Sequence, residues 1–276
     1  MTPVDPIICS GSSVNLTVSG ANTYSWIPSN TLNTNFGNIV QVTPQVSSTY
    51  SVIGTGINGC EDTLQINVGV IGTGWCGGIR ANACNNNPLV DKLYIAETNK
   101  KRLSELKNSL ELEAATENWQ DLVSNNDIDT IIISATPETT HYPMALASLK
   151  AGKNVFLEKP ISTTLEEAEE LINESIKNNL KFTIGYSQRF NAKYAYVKKS
   201  LQEKIIGEPV TCLVSRHITR ELGKKISGRT ALSPAAMEST HDLDFLLWCL
   251  QPRKPIKVYS QTSGKLFSKN SNTPDH

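Results

Sequence analysis

The sequence predicts an α/β protein: a doubly wound parallel sheet over residues 68–186 and a partial second α/β domain over residues 187–276, preceded by a small all-β sandwich over residues 1–67. Three observations predict it. Residues 1–67 run in short stretches of alternating apolar and polar side chains. Beyond them, strand-like and helix-like stretches alternate, the pattern of a parallel sheet covered on both faces. A glycine-rich turn joins the first strand of that second part to its first helix.

At 276 residues the chain exceeds one ordinary domain, for which about 150 residues is typical. Hydrophobic residues make up 39% and charged residues 19%, and 26 Lys and Arg balance 26 Asp and Glu. That excludes a disordered tail and a protein held to nucleic acid by net charge. No stretch of 18 apolar residues occurs and the N-terminus lacks a basic start followed by an apolar run, so neither a membrane span nor an export signal is expected. The balance hides a division: the first basic residue is Arg80, and residues 1–67 hold only three acids (Asp5, Glu61, Asp62) among 26 Ser, Thr and Asn.

In the first segment, Val14 to Val18, Ile39 to Val42, Tyr50 to Val52 and Leu64 to Val68 alternate with period two between Gly, Pro, Asn and Ser clusters. Short strands at such intervals read as a sandwich, with Trp26 filling its core. Cys9 and Cys60 flank the strands and read equally as a bridge tying the ends of a small domain or as a reduced core pair. The strings Ile7 to Val14, Thr23 to Trp26, Thr49 to Val52 and Asn58-Gly59-Cys60 resemble the Ig-like, PKD-like repeats of large secreted bacterial surface proteins over residues 3–68. The resemblance implies a spacer or adhesive module without catalytic residues.

The pentapeptide Val-Ile-Gly-Thr-Gly occurs at residues 52–56 and 70–74, and each copy opens a G-x-G-x-x-G: Gly54, Gly56, Gly59, then Gly72, Gly74, Gly77. A dinucleotide site needs a strand before the loop, a helix after it whose N–H groups face the pyrophosphate, and an acid about 20 residues later for the ribose hydroxyls. After the first copy, residues 60–63 lead into another strand with no room for a helix. The second copy follows the apolar strand 66–71 and precedes a helix-compatible stretch, and Glu97 ends the next strand 20 residues after Gly77. Glu97 there repels a 2′-phosphate and favours NAD, while the bases Lys100, Lys101 and Arg102 leave NADP open.

Further helices are expected near 99–110, 139–151 and 164–178, and strands at 130–134, 154–157 and 181–184. Ligands in such sheets bind beyond the carboxyl ends of the strands, where Ala135 to His141 and Glu158-Lys159-Pro160 lie.

Val70-Ile71-Gly72-Thr73-Gly74, Ala135-Thr136-Pro137 with His141, Ala151 to Val155, Glu158-Lys159-Pro160 and His241-Asp242-Leu243-Asp244 follow the order and spacing of the glucose-fructose oxidoreductase, inositol dehydrogenase and MocA (Gfo/Idh/MocA) family. Residues 68–276 resemble that family. The resemblance implies a Rossmann domain, then an α/β domain with an open sheet, and hydride transfer between NAD or NADP and a hydroxyl-bearing carbon of a sugar, cyclitol or related compound. Oxidising such a carbon requires a base for the O–H proton and a donor that steadies the developing alkoxide. By resemblance Lys159 meets the reacting hydroxyl and His241 moves the proton; Thr136, Pro137, His141 and Glu158 join Gly72, Gly74, Gly77 and Glu97 in holding cofactor. Tyr186, Arg189 and Phe190 fall where the family passes into its second domain, in a substrate-side or hinge position. No residue is nominated for a metal.

Two departures stand out. Many family members carry an acid four residues before the histidine, where this chain has Met237, with Glu238 one place later; either Glu238 substitutes for that acid, on the substrate or hinge side with Tyr186 and Arg189, or the acid is absent. The 209 residues of 68–276 are also short for the family's second domain, so the chain reads as a fragment or an unusual join in which Pro255 to Ser260 begins an unfinished sheet. The expected partner is a small polyol or sugar, with no nucleic acid or membrane, and with oligomers only in a full-length form. Cytoplasm is the favoured location, or the cell surface if the first segment is native there. The rival to the enzyme is a non-catalytic surface protein with a vestigial nucleotide domain, or an inactive chimeric fragment.

Overall fold

A computed structural model describes residues 8–28, 30–46, 48–56, 61–62, 65–219, 221–223 and 234–261. The chain divides into two compact units, Met1–Gln65 and Ile66–His276.

In the first unit β1 (Val14–Thr17) pairs antiparallel with β3 (Ile39–Val42), while β2 (Thr23–Ile27), β4 (Ser51–Thr55) and β5 (Glu61–Asp62) form a second antiparallel sheet in the order β2-β4-β5. Period-two alternation sets the inner faces: Val40 and Val42 are buried while Ile39 and Gln41 are exposed. Leu16, Val18, Tyr24, Trp26, Val40 and Val42 make one core. Trp26 is 1% exposed, and its indole N–H donates to the Gly37 carbonyl at 2.8 Å. The unit thus forms two small antiparallel sheets of two and three strands. Cys9 is exposed and free, so it belongs to no core, whereas Cys60, the other half of the expected pair, lies outside the described residues.

The second unit is built on a six-stranded parallel sheet in the order β11-β10-β9-β6-β7-β8. Its elements run β6 (Ile66–Ile71), α1 (Trp75–Asn85), β7 (Val90–Ala96), α2 (Lys100–Ser109), β8 (Ala114–Thr116), α3 (Trp119–Ser124), β9 (Thr130–Ile133), α4 (His141–Lys150), β10 (Asn154–Leu157), α5 (Leu165–Lys177) and β11 (Phe182–Ile184). Chain order grows outward in both directions from β6, the doubly wound arrangement. Val68, Val70 and Ile71 are almost fully buried because helices cover both faces. Side-chain oxygens of Asn99 and Thr164 accept the free N–H groups that open α2 and α5. Residues 66–68, claimed by alternation for the first segment as well, belong to this sheet, pairing with β7 and β9.

After β11 come a 3-10 turn (Ser187–Phe190), α6 (Ala192–Gln202) and α7 (Pro234–Leu250). Tyr194 meets Phe245 edge-on at 4.7 Å between α6 and α7. The strand expected at Pro255 to Ser260 does not form: Ile256, Val258 and Tyr259 are each more than 80% exposed. A strand needs a neighbour for its N–H and C=O groups, and among the described residues none runs beside it. No helix among the described residues is long and apolar enough to cross a membrane.

Candidate active site

The strand order reverses between β6 and β9, and ligands of doubly wound sheets bind in the crevice at that reversal. Gly72, just past β6, has φ +77°, and a Cβ there would lie 2.7 Å from Ala135 Cα on the loop after β9. A Cβ on Gly77 would fall 1.9 Å from the Gly72 carbonyl oxygen, whereas one on Gly74 would meet nothing within 4 Å. Gly72 and Gly77 are therefore required by the fold itself, and Gly74 opens the approach to the backbone. The N-terminus of α1 has no capping side chain and no acid in its first turn, so its N–H groups and dipole suit an anionic group.

Glu97 stands across the loop. Its Oε2 accepts from the Thr73 N–H at 2.8 Å and the Thr73 hydroxyl at 2.5 Å, and its Oε1 accepts from the Asn99 N–H at 2.9 Å. Burial works to raise its pKa, but these hydrogen bonds with Arg102 nearby prevail and hold it below the ordinary carboxylate value. Arg102 donates to the Thr73 carbonyl at 2.5 Å, and Lys100 pairs with Glu117 at 3.6 Å. The glycine loop and a fixed carboxylate fit a dinucleotide.

The first glycine motif is different. Gly54 lies within β4, and a Cβ there would press 2.8 Å from Ala21 Cβ and 3.3 Å from the Tyr24 ring. It serves sheet packing; Gly59 lies outside the described residues.

Thr136 and Pro137 sit exposed beyond the carboxyl end of β9. His141 is 2% exposed, with Nδ1 2.7 Å from the Pro160 carbonyl oxygen and Nε2 3.0 Å from that of Ala135. It ties the loop after β9 to the loop after β10. Glu158, just past β10, is 8% exposed and accepts from Arg80 of α1, with Nη2 at 2.8 Å and Nε at 3.2 Å.

Lys159 turns toward α7, donating to the Met237 carbonyl at 3.0 Å and to Glu238 Oε1 at 3.4 Å. Glu238, one residue after Met237, thus reaches the lysine with its carboxylate. His241 follows one helical turn after Glu238. Its Nδ1 is buried without a hydrogen-bond partner among the described residues, and the Tyr186 ring meets it edge-on at 6.3 Å. Burial first, then the charge of Lys159, push the His241 pKa below its ordinary 6.5, outweighing the opposing carboxylate of Glu238. The Tyr186 hydroxyl lies 3.4 Å from that of Thr240.

Arg189 Nε and Nη2 donate to Asp244 at 2.9 and 2.6 Å, joining the turn after β11 to α7. Phe190 is 83% exposed. Sequence reasoning missed Arg80 and Cys76. Cys76, between Gly74 and Gly77, is exposed, and its thiol pKa is raised by burial of the sulfur and by Glu158 against the charges of Arg80 and Lys159.

Residues 66–186 match the Gfo/Idh/MocA family, described as "Oxidoreductase family, NAD-binding Rossmann fold". The chain is 31% identical over 145 residues to myo-inositol 2-dehydrogenase of Thermotoga maritima, covering 51% of this chain and 42% of that protein. It is 27% identical over 193 residues to an inositol 2-dehydrogenase/D-chiro-inositol 3-dehydrogenase of Shouchella clausii, covering 68% and 54%. Among solved structures, scyllo-inositol dehydrogenase of Lactobacillus casei with bound NAD(H) and scyllo-inositol matches with a TM-score of 0.57 at 26% identity, covering 67% of this chain and 56% of that one. The chain spans about half the length of the relatives it matches.

Proposed function

We propose that this chain, whose residues 66–186 match the Gfo/Idh/MocA oxidoreductase family, is a member of that family, binds NAD at the β6–α1 loop and takes part in the oxidation of a secondary hydroxyl on a cyclitol or related polyol. The observation that carries the reading is the convergence of Lys159, Glu238 and His241 beyond the carboxyl ends of the sheet whose strand reversal holds the glycine loop. The relatives named above are inositol dehydrogenases, which supports a cyclitol over other alcohols.

NAD, held at the glycine loop, would supply the hydride acceptor. The residues of the chain do the rest. Gly72, Gly74 and Gly77 admit the pyrophosphate to the backbone, Glu97 accepts hydrogen bonds from the adenosine ribose, and Thr136 and Pro137 flank the crevice beyond β9. Lys159, steadied by the Met237 carbonyl and Glu238, donates to the reacting oxygen and stabilises negative charge developing there. His241, kept neutral near pH 7 by burial and by Lys159, accepts the hydroxyl proton. Tyr186 and Thr240 border that histidine, while Arg189 acts from the hinge.

The test is a fluorescence titration with NADH, followed by NAD reduction with a panel of inositols and sugars. Binding of NADH, and inositol-dependent reduction lost in Lys159→Ala and His241→Ala, are expected. No NADH binding would overturn the reading.

A further inference from the structure

We propose that Arg80 is a positioning residue: it clamps the Glu158 carboxylate and thereby sets the direction of Lys159, linking the helix after the glycine loop to the lysine of the candidate site. The inference rests on the reading of that site given above, and it concerns a residue that neither the glycine motif nor the Glu158-Lys159-Pro160 motif contains.

The geometry is a box around one carboxylate. Phe156 and Glu158 are two residues apart along β10 and its extension, so both side chains face α1. The Arg80 guanidinium stacks over the Phe156 ring at 4.8 Å while Nη2 and Nε reach Glu158 Oε1 at 2.8 and 3.2 Å. On the far side, a Cβ on Gly185 would lie 2.8 Å from Glu158 Oε2, so the backbone after β11 closes the box. The Gly185 N–H donates to the Leu157 carbonyl at 2.8 Å and the Glu158 N–H to the Ile133 carbonyl at 2.9 Å, which fixes the strand end itself. Past Glu158 the chain bends, and Lys159 reaches Met237 and Glu238 on α7.

The charges make the clamp selective. The side chains of Glu158 and Lys159 are only 11% and 16% exposed, and that of Arg80 is 30% exposed. Two cation–carboxylate pairs lie side by side, Arg80 with Glu158 and Lys159 with Glu238, and all four charges act on the Cys76 thiol. Removing the Arg80 charge leaves the Glu158 carboxylate poorly solvated, with Lys159 as its neighbour in the chain. The lysine is then drawn from Glu238 to Glu158 and away from the reacting position. Arg, with its planar fork, holds Nε and Nη2 on the carboxylate together while its face stays on Phe156; a lysine ammonium cannot do both.

The test compares Arg80→Met, Arg80→Lys and the double variant Arg80→Met/Glu158→Gln with the unaltered chain. Two quantities are read: the NADH dissociation constant, and the rate of reductive methylation of Lys159, followed by peptide mass spectrometry with exposed Lys101 as internal reference. Arg80→Met is expected to weaken NADH about tenfold and to change Lys159 methylation several-fold, at about the scale of coupling between linked residues. Arg80→Lys should give an intermediate loss of about threefold, and it carries the comparison if the Met variant fails to fold. The double variant should recover most of both quantities, because no charge remains to capture Lys159; a residue that merely fills space would not be rescued in this way. Unchanged NADH affinity and unchanged Lys159 methylation in the folded Arg80 variants would overturn the inference. If the unaltered chain binds no NADH, the cofactor reading fails, and the methylation comparison still decides whether Arg80 sets Lys159.

Discussion

A methyl group on Gly77 would sit 1.9 Å from the carbonyl oxygen of Gly72, while one on Gly74 would touch nothing. The motif's glycines thus divide by cause, and the division can be measured. Gly77→Ala forces the loop apart and should cost about 1–3 kcal/mol of stability, in the range of overpacked sites. Gly74→Val leaves the fold's contacts intact and fills the approach to the backbone, so its thermal midpoint should stay near that of the unaltered chain while NADH affinity falls at least about tenfold. Thermal melts and NADH titrations on both variants separate the two effects.

Glu97 is expected to choose between cofactors. Glu97→Ala removes acceptors for the ribose hydroxyls and a charge that repels a 2′-phosphate, so NADH binding should weaken by roughly tenfold, the scale of a hydrogen bond to a charged group, and NADPH binding by less. Parallel titrations read the ratio. Equal losses would remove Glu97 from the ribose.

His241 predicts a pH dependence. Its pKa is depressed in the folded chain below the ordinary 6.5, so above 6.5 its contribution to stability is fully present. As pH falls through 6.5 toward the lower folded value, the unfolded chain takes up the proton first and stability is lost. His241→Asn should therefore lose less stability than the unaltered chain between about pH 7.5 and 5.5, as read by thermal midpoints. A steeper loss in the variant would contradict the buried neutral ring.

Cys76 lies between Gly74 and Gly77 and is exposed, with a thiol pKa held above its ordinary value. Alkylation at Cys76 should be slow at neutral pH, rise toward alkaline pH as the thiolate forms, and be suppressed by saturating NADH. Cys9, exposed in the other unit, should alkylate at the same rate with and without NADH. Peptide mapping resolves the two thiols.

Gly54 tests the duplicated pentapeptide. Gly54→Ala places a carbon 2.8 Å from Ala21 Cβ and should destabilise the first unit by on the order of 1–3 kcal/mol, with NADH affinity unchanged. A drop in affinity would give the first motif a role in binding.

Local pattern was enough for the elements themselves. β3 and β10 fall at the residues where period and turn signals place them, and α2 and α5 lie within a residue or two of expectation, because alternation, caps and glycine positions act over a few residues. The short β8 and α3 escaped notice, with three and six residues too few to show a period. Pro255 to Ser260 carries the strand pattern but pairs with no strand among the described residues, since pattern specifies a face and not a neighbour.

The sequence by itself determined the parallel sheet, the glycine loop, and the acid at its proper interval, since each follows from strand and helix geometry over at most 20 or so residues. Only the tertiary structure decided the company those residues keep. Arg80 meets Glu158 across 78 residues and Lys159 meets Glu238 across 79, distances over which no periodicity carries information. It also decided that His141 binds two loops together, that Arg189 pairs with Asp244, and that Glu238 pairs with Lys159. A side chain's partner depends on which helix packs against which strand end, and that is settled by burial of the whole core and not by the residues on either side.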